Sequence, residues 1–296
     1  MNMDEEIKQE TPEKQPEPQK EEQKREVLIS ARNVSKIFHG RTVLKNINLD
    51  IYKGERLIII GGSGCGKSTL LRCLINVYQP DSGSLKFFGT ELVGLKSEKK
   101  MDEIRKRFGI LFQNGALYNS LTVGENVALP IKEHSNLAPS VIDIMVKVKL
   151  ELVGLRDFHD LMPSQISGGM QKRVALARAI ALDPEVLFYD EPTSGLDPIM
   201  TAVIDELIVE LNEKMNMTSV VITHDMSSAY RTAHRIIMLY KGEVIAQGTP
   251  EEIKNSQDKF VQQFIQGLAD GPIPLRVSSK DFYEDLLEGV RPDEIR

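Results

Sequence analysis

The sequence predicts an α/β fold with a mainly parallel core sheet, and three observations carry that expectation. Apolar runs of strand length alternate with stretches of helical periodicity. One such run, Arg56 to Gly61, leads into a glycine-rich turn and then a helix. No apolar run approaches the roughly 18 residues that a membrane-spanning helix needs. At 296 residues, with 41% apolar and 27% charged side chains, the chain is long enough for a substantial core and is neither fibrous nor wholly disordered in composition. A formal net charge of −6 argues against a broad nucleic-acid surface, which would need a basic face. Cys65 and Cys73 have no partners at metal-ligand spacing, so neither a zinc site nor a disulfide framework is expected, as suits a reducing, cytosolic setting.

Residues 1–26 are Glu, Lys, Gln and Pro with hardly a large apolar side chain, and read as a disordered leader that carries most of the negative charge. Strand signals follow at Val27-Leu28-Ile29, Val43-Leu44 and Ile47 to Ile51; Lys53-Gly54 then turns the chain into Leu57 to Ile60. A helix is expected over Lys67 to Val77, stopping before Pro80. From about 102 to 166 the pattern turns helical, with Val141, Ile144, Met145, Val148 and Leu152 on one face. Strands at Val186 to Tyr189, Ser219 to Ile222, Ile236 to Leu239 and Val244 to Ala246 then alternate with a helix at Ala202 to Leu211. Residues 271–296, rich in proline and with an amphipathic piece at Phe282 to Leu287, read as a C-terminal extension of a domain spanning 27–270.

The turn Gly61-Gly62-Ser63-Gly64-Cys65-Gly66-Lys67-Ser68 fits GxxxxGK(S/T) between strand and helix. Glycines let successive N–H groups converge on an anion, and the helix start adds positive potential. In such a P-loop Lys67 reaches the β and γ phosphates, Ser68 ligates Mg²⁺, Thr69 donates to the α phosphate, and Cys65 is given no chemistry. Val186 to Tyr189 ends in Asp190-Glu191. An acid at a strand's carboxyl end beside the phosphates can hold Mg²⁺, and its neighbour can face the attacking water. Apolar strands also end in plain solvated acids, so this pair gains force from the P-loop. Together these residues indicate a P-loop nucleotidase that works with Mg²⁺; ATP as the nucleotide follows from the resemblance below.

About 20 residues before that pair, Ile166-Ser167-Gly168-Gly169-Met170-Gln171-Lys172-Arg173 resembles the LSGGQ signature of the ATP-binding cassette family, with Met170 in place of the usual Gln. Other landmarks occur in the family's order: Gln113 in Leu111-Phe112-Gln113-Asn114, Ser194-Gly195-Leu196-Asp197, His224 in Thr223-His224-Asp225, and Phe38. The resemblance implies a P-loop core with an added antiparallel β subdomain and a helical insert. It implies that Ser167, Gly168 and Gly169 bind the γ phosphate of ATP held by a second copy, and that Asp197 lies in a loop crossing that seam. It further implies that Gln113 touches Mg²⁺ or water, His224 bonds the γ phosphate, and Phe38 stacks on adenine.

The stretch Phe112 to Val123, the variant signature preceded by Met162-Pro163-Ser164-Gln165, and Asp270-Gly271-Pro272-Ile273 resemble the ATPase subunits of Mla-type phospholipid transporters. That resemblance implies lipid transport between inner membrane and outer envelope through an integral permease, an MCE lipid-binding protein and a STAS-type regulator. The ATPase would sit on the cytoplasmic face of the inner membrane, with Asn114 to Asn126, including Leu117, Tyr118 and Leu121, forming the permease groove and the C-terminal extension docking on the neighbouring subunit. The ATPase of another importer, for polar amino acids or a similar solute, would share every ATP-contacting residue. A soluble cassette acting on nucleic acid would want a coiled-coil insert or basic face, which this sequence lacks.

Overall fold

The computed structural model describes residues 25–273. Nearly all of the expected leader and Phe282 to Leu287 therefore lie outside the described residues. The chain opens with β1 (Val27–Phe38) and β2 (Arg41–Tyr52), an antiparallel hairpin turning through His39 and Gly40, both at positive φ. The two apolar pieces expected near 43 and 47–51 are thus parts of one strand. Next come β3 (Arg56–Gly61), α1 (Lys67–Leu74), β4 (Ser82–Phe87), β5 (Thr90–Glu91), α2 (Glu98–Arg105) and β6 (Phe108–Leu111). Helix α1 ends before Val77 because Asn76 turns left-handed, and the N–H groups of Val77 and Tyr78 both donate to the Arg72 carbonyl, at 2.8 and 3.0 Å.

The chain continues with α3 (Val123–His134), α4 (Pro139–Leu152), α5 (Gly168–Ala179), β7 (Val186–Asp190), α6 (Pro198–Met215) and β8 (Thr218–Ile222). It closes with α7 (Met226–Thr232), β9 (Arg235–Tyr240), β10 (Glu243–Gly248), α8 (Pro250–Lys254) and α9 (Lys259–Gln266). The helical stretch expected from about 102 is interrupted by β6. A four-residue strand of mixed burial within a helical composition gives no period of its own, and only pairing with β7 reveals it.

Two sheets organise these elements. The six-stranded sheet runs β10-β9-β3-β8-β7-β6, parallel except for β10; the four-stranded sheet β2-β1-β4-β5 is antiparallel. Strand β3 is buried along its whole length. Its Leu57 and Ile59 join a core with β1, β2, β4 and α1, while Ile58 and Ile60 join a core with α3 to α6. Burial on both faces is what a continuous apolar strand requires. The parallel order also brings the carboxyl ends of β3, β8, β7 and β6 to one edge, where parallel α/β sheets hold ligands.

Helix α4 corrects the expected stripe. Val141, Ile144 and Val148 are 41%, 62% and 53% exposed, whereas Ile142, Val146 and Leu150 are buried. The helix carries two apolar stripes, and periodicity alone does not say which one meets the core. Met145 and Leu152, at the border between them, pack partly against it.

Candidate nucleotide site

The site is assembled where the parallel strands end. Strand β3 delivers Gly61, whose φ is 148° and whose absent Cβ would fall 2.3 Å from the Leu239 carbonyl oxygen. Only glycine lets the loop start so close to β9. Gly66 caps α1 at φ 112° without any side-chain hydrogen bond, so the first N–H groups of the helix are not taken up by a capping side chain. Lys67 folds back instead: its buried ammonium donates to the carbonyls of Gly61 at 2.7 Å and Gly62 at 3.0 Å. Ser63, Gly64 and Ser68 are exposed, and Thr69 is half-buried. A cleft of about 550 Å³ runs past the loop, lined by Gly62, Gly64, Arg41, Val43, Tyr240 and Ile273. Arg41, Val43 and Tyr240 reach it from the hairpin and from β9, so nothing local in the sequence marked them. Phe38 is not among the lining residues; its ring meets Tyr78 edge-on at 5.2 Å.

Strand β7 delivers Asp190 and Glu191. Asp190 is half-buried, and desolvation first, then the charge of Glu191, push its carboxyl above the usual range, while Arg72 and Lys67 oppose the shift. Glu191 holds a left-handed φ of 50°, and its N–H donates to Ile222 of the neighbouring strand at 2.9 Å. Such a backbone is costly for a non-glycine residue and persists where its surroundings over-determine it. From the end of β8, His224 places Nδ1 2.8 Å from Glu191 Oε2. From the end of β6, the Gln113 amide donates to Ser194 Oγ at 3.2 Å. Gln113, Glu191 and His224 thus meet at one sheet edge although 111 residues separate the first from the last.

The signature residues open α5. Ser167 is its N-cap and accepts the Met170 N–H at 3.3 Å; Gly168 has open space where a Cβ would stand. Gly169 is closely packed, since a Cβ there would come within 2.7 Å of the Met200 methyl. The Met170 side chain packs against the core, as an apolar replacement can. Asp197 caps α6, accepting the N–H groups of Ile199 and Met200 at 2.9 and 3.0 Å. Both cysteines are buried free thiols; burial raises the pKa of Cys65 and lifts Cys73 to about 11, so neither is poised for thiolate chemistry. Among the described residues no helix is long and apolar enough to cross a membrane.

Comparison with known proteins gives this arrangement a lineage. The chain is 42% identical over 261 residues to the intermembrane phospholipid transport system ATP-binding protein MlaF of Haemophilus influenzae, covering 88% of this chain and 98% of that one. It is 38% identical over 247 residues to the probable ribonucleotide transport ATP-binding protein mkl of Mycobacterium tuberculosis, covering 83% of this chain and 68% of that one. The dimeric cassette MJ0796 in a post-hydrolysis state with ADP and Pi superposes with a TM-score of 0.69 at 33% identity, over 75% of this chain and 98% of that one. Residues 44–194 match the sequence model of the ABC transporter family, and with a relative of this identity aligned over nearly its whole length, the chain belongs to that family of ATPases.

Proposed function

We propose that this chain powers phospholipid transport between the inner membrane and the outer envelope, as the ATP-hydrolysing subunit of a membrane complex. The observation that carries this reading is the alignment to MlaF over 98% of that protein's length. Residues 27–270 act as the cassette, with the helices between β6 and β7 as its second lobe and 271–296 as an extension.

Two copies close head to tail on ATP. In each site the loop Gly61 to Gly66 wraps the phosphates, Lys67 leaves its carbonyl partners for the β and γ phosphates, Thr69 serves the α phosphate and Phe38 stacks on adenine. Ser167, Gly168 and Gly169 of the second copy offer a hydroxyl and a helix N-terminus to the γ phosphate, and Asp197 lies along the seam; the exposure of Ser167 and Gly168 supports a ligand arriving from outside the chain. Hydroxyl, carboxylate and carboxamide oxygens on Ser68, Asp190 and Gln113 form the hard donor set that suits Mg²⁺, and the unfavourable charge on Asp190 is relieved by a cation. Mg²⁺ when bound neutralises charge on the phosphates. Glu191 orients water and accepts its proton; His224 steadies Glu191 and bonds the γ phosphate.

The partner surfaces are separate from this site. A cleft of about 520 Å³ between the sheet edge and the helical lobe, lined by Phe108, Phe112, Tyr118, Pro130, Arg178 and Leu182, fits short permease helices. Of the residues expected there, Ala116 and Tyr118 line the cleft, Leu117 packs on the core, and Leu121 is not among the lining residues. Buried Asn126 fixes this loop by accepting the Tyr118 N–H and donating to the carbonyls of Tyr118, Leu121 and Thr122. The exposed stripe on α4 suits a STAS-type regulator, and an MCE protein completes the assembly. The chain then sits on the cytoplasmic face of the inner membrane, held by its permease, and the extension docks on the neighbouring subunit.

The mkl relative, described as a probable ribonucleotide transporter subunit, favours a second reading in which the cargo is a small solute. Purification from native membranes in mild detergent, with protein and lipid mass spectrometry, separates them. Co-purified MCE protein and phospholipid support the first reading; a solute-binding protein without lipid supports the second. Deleting 270–296 without effect on dimerisation or assembly would sink the docking of the extension.

A further inference from the structure

We propose that Lys172 is a positioning residue for hydrolysis, tying the signature helix to the backbone segment that carries Glu191. Lys172 lies one turn into α5 after Gly168 and is only 9% exposed. Its ammonium donates to the Pro192 carbonyl at 3.0 Å and, more closely, to the Ser194 carbonyl. These carbonyls belong to Pro192, directly after Glu191, and to Ser194, the first residue of the loop that ends at Asp197.

The segment is held at several other points, and among the described residues Lys172 is the one that reaches it from the signature helix by a side-chain hydrogen bond. Glu191 is bonded through its N–H to Ile222, Ser194 donates its N–H back to the Glu191 carbonyl at 3.2 Å, and Gln113 donates to Ser194 Oγ. Desolvation makes the ammonium easier to deprotonate, and the nearby charge of Glu191 works the other way. The carbonyls and the carboxylate therefore keep the buried cation in place. Because Glu191 sits at a positive φ, its side-chain direction depends on the backbone on both sides of it. Ser167, Gly168 and Gly169 precede Lys172 on the same helix. A displacement of that helix when it engages the opposite ATP is thereby passed to the carboxylate that serves its own ATP.

This inference rests on the roles proposed for Glu191 and the signature, and its test keeps the two apart. In the purified full chain, Lys172→Met should lower kcat by about 10- to 100-fold, the scale of a small misplacement in a catalytic group, with KM for ATP changed less than about threefold. Lys172→Arg, which keeps the charge and the donors, should recover kcat to within about threefold of the unsubstituted chain. Glu191→Gln combined with Lys172→Met should still form the ATP-stabilised dimer, because nucleotide binding is intact. A kcat within twofold for Lys172→Met, a loss confined to KM, no recovery with Arg, or failure of the double variant to dimerise would each overturn the proposal. Normal turnover in Glu191→Gln alone would overturn the assignment of Glu191 instead.

Discussion

His224 Nδ1 lies 2.8 Å from Glu191 Oε2, and the two side chains differ sharply in environment: Glu191 is 14% exposed and His224 67%. The carboxylate is thus held inside the sheet edge while the imidazole, at the surface, can turn towards a phosphate. Glu191→Gln keeps the shape and removes the carboxylate proposed as the base. We expect turnover to fall by at least about 100-fold while ATP still drives dimer formation, measured by phosphate release and size-exclusion chromatography. Near-normal hydrolysis in this variant would reject Glu191 as the carboxylate that acts on water. His224→Ala should lower turnover by about 10- to 100-fold with a smaller effect on nucleotide affinity.

Asp190 supplies a prediction about stability. Its carboxyl is pushed above the ordinary 3.8 by burial and by Glu191. The folded chain therefore holds a proton there more readily than the unfolded chain does. Stability is lost as pH rises through the raised pKa and regained as pH falls back through it. Asp190→Asn should raise the melting temperature of the nucleotide-free protein near neutral pH by about 2–4 °C, with the difference shrinking in acid, while Mg²⁺-dependent hydrolysis collapses. A variant less stable than the parent at neutral pH would contradict the cost assigned to the charged carboxylate.

Gly109 holds β6 against α5 by having no side chain. A Cβ there would fall 2.1 Å from the Ala179 carbonyl oxygen and 2.8 Å from Leu187 Cδ1. Gly109→Ala must push the strand outward, and overpacking of this kind costs about 2 kcal/mol, or roughly 4–8 °C in melting temperature. The same strand ends two residues before Gln113, so hydrolysis should fall with stability. Thermal unfolding together with ATPase assay checks both; an unchanged melting temperature would mean that the contact is not rigid.

The legible part of this protein was whatever is encoded by contiguous residues. The P-loop motif from Gly61 to Ser68 and the Asp190-Glu191 pair each lie within a few positions, and strands β3 and β7 appear as apolar runs. What escaped depends on contacts across the chain. Arg41, Val43 and Tyr240 line the cleft only because β2 and the end of β9 pass the P-loop. Lys172 reads in sequence as one cation among many on a signature helix; its burial against Pro192 and Ser194 is a matter of where α5 lands. Strand β6 is invisible without β7 beside it.

Helix α4 tests the same distinction between pattern and packing. Both Ile144 and Leu150 fit a helical apolar period, yet one is 62% exposed and the other fully buried. Leu150→Ala should destabilise the protein by about 2–5 kcal/mol, because it removes buried methyl groups and leaves a void among α3, α4 and α5. Ile144→Asp should change stability by less than about 0.5 kcal/mol, since an exposed aliphatic gains little from folding. Leaving a run of exposed apolar side chains on one helix is unfavourable in water unless another surface covers them. Ile144→Asp should therefore leave basal ATP hydrolysis of the isolated subunit within about twofold and, on the proposal that a regulator docks on this stripe, weaken its capture in the detergent pull-down. Equal destabilisation by the two substitutions would show that the Val141, Ile144, Val148 stripe is packed after all, and an unchanged partner set would remove the stripe as a docking face.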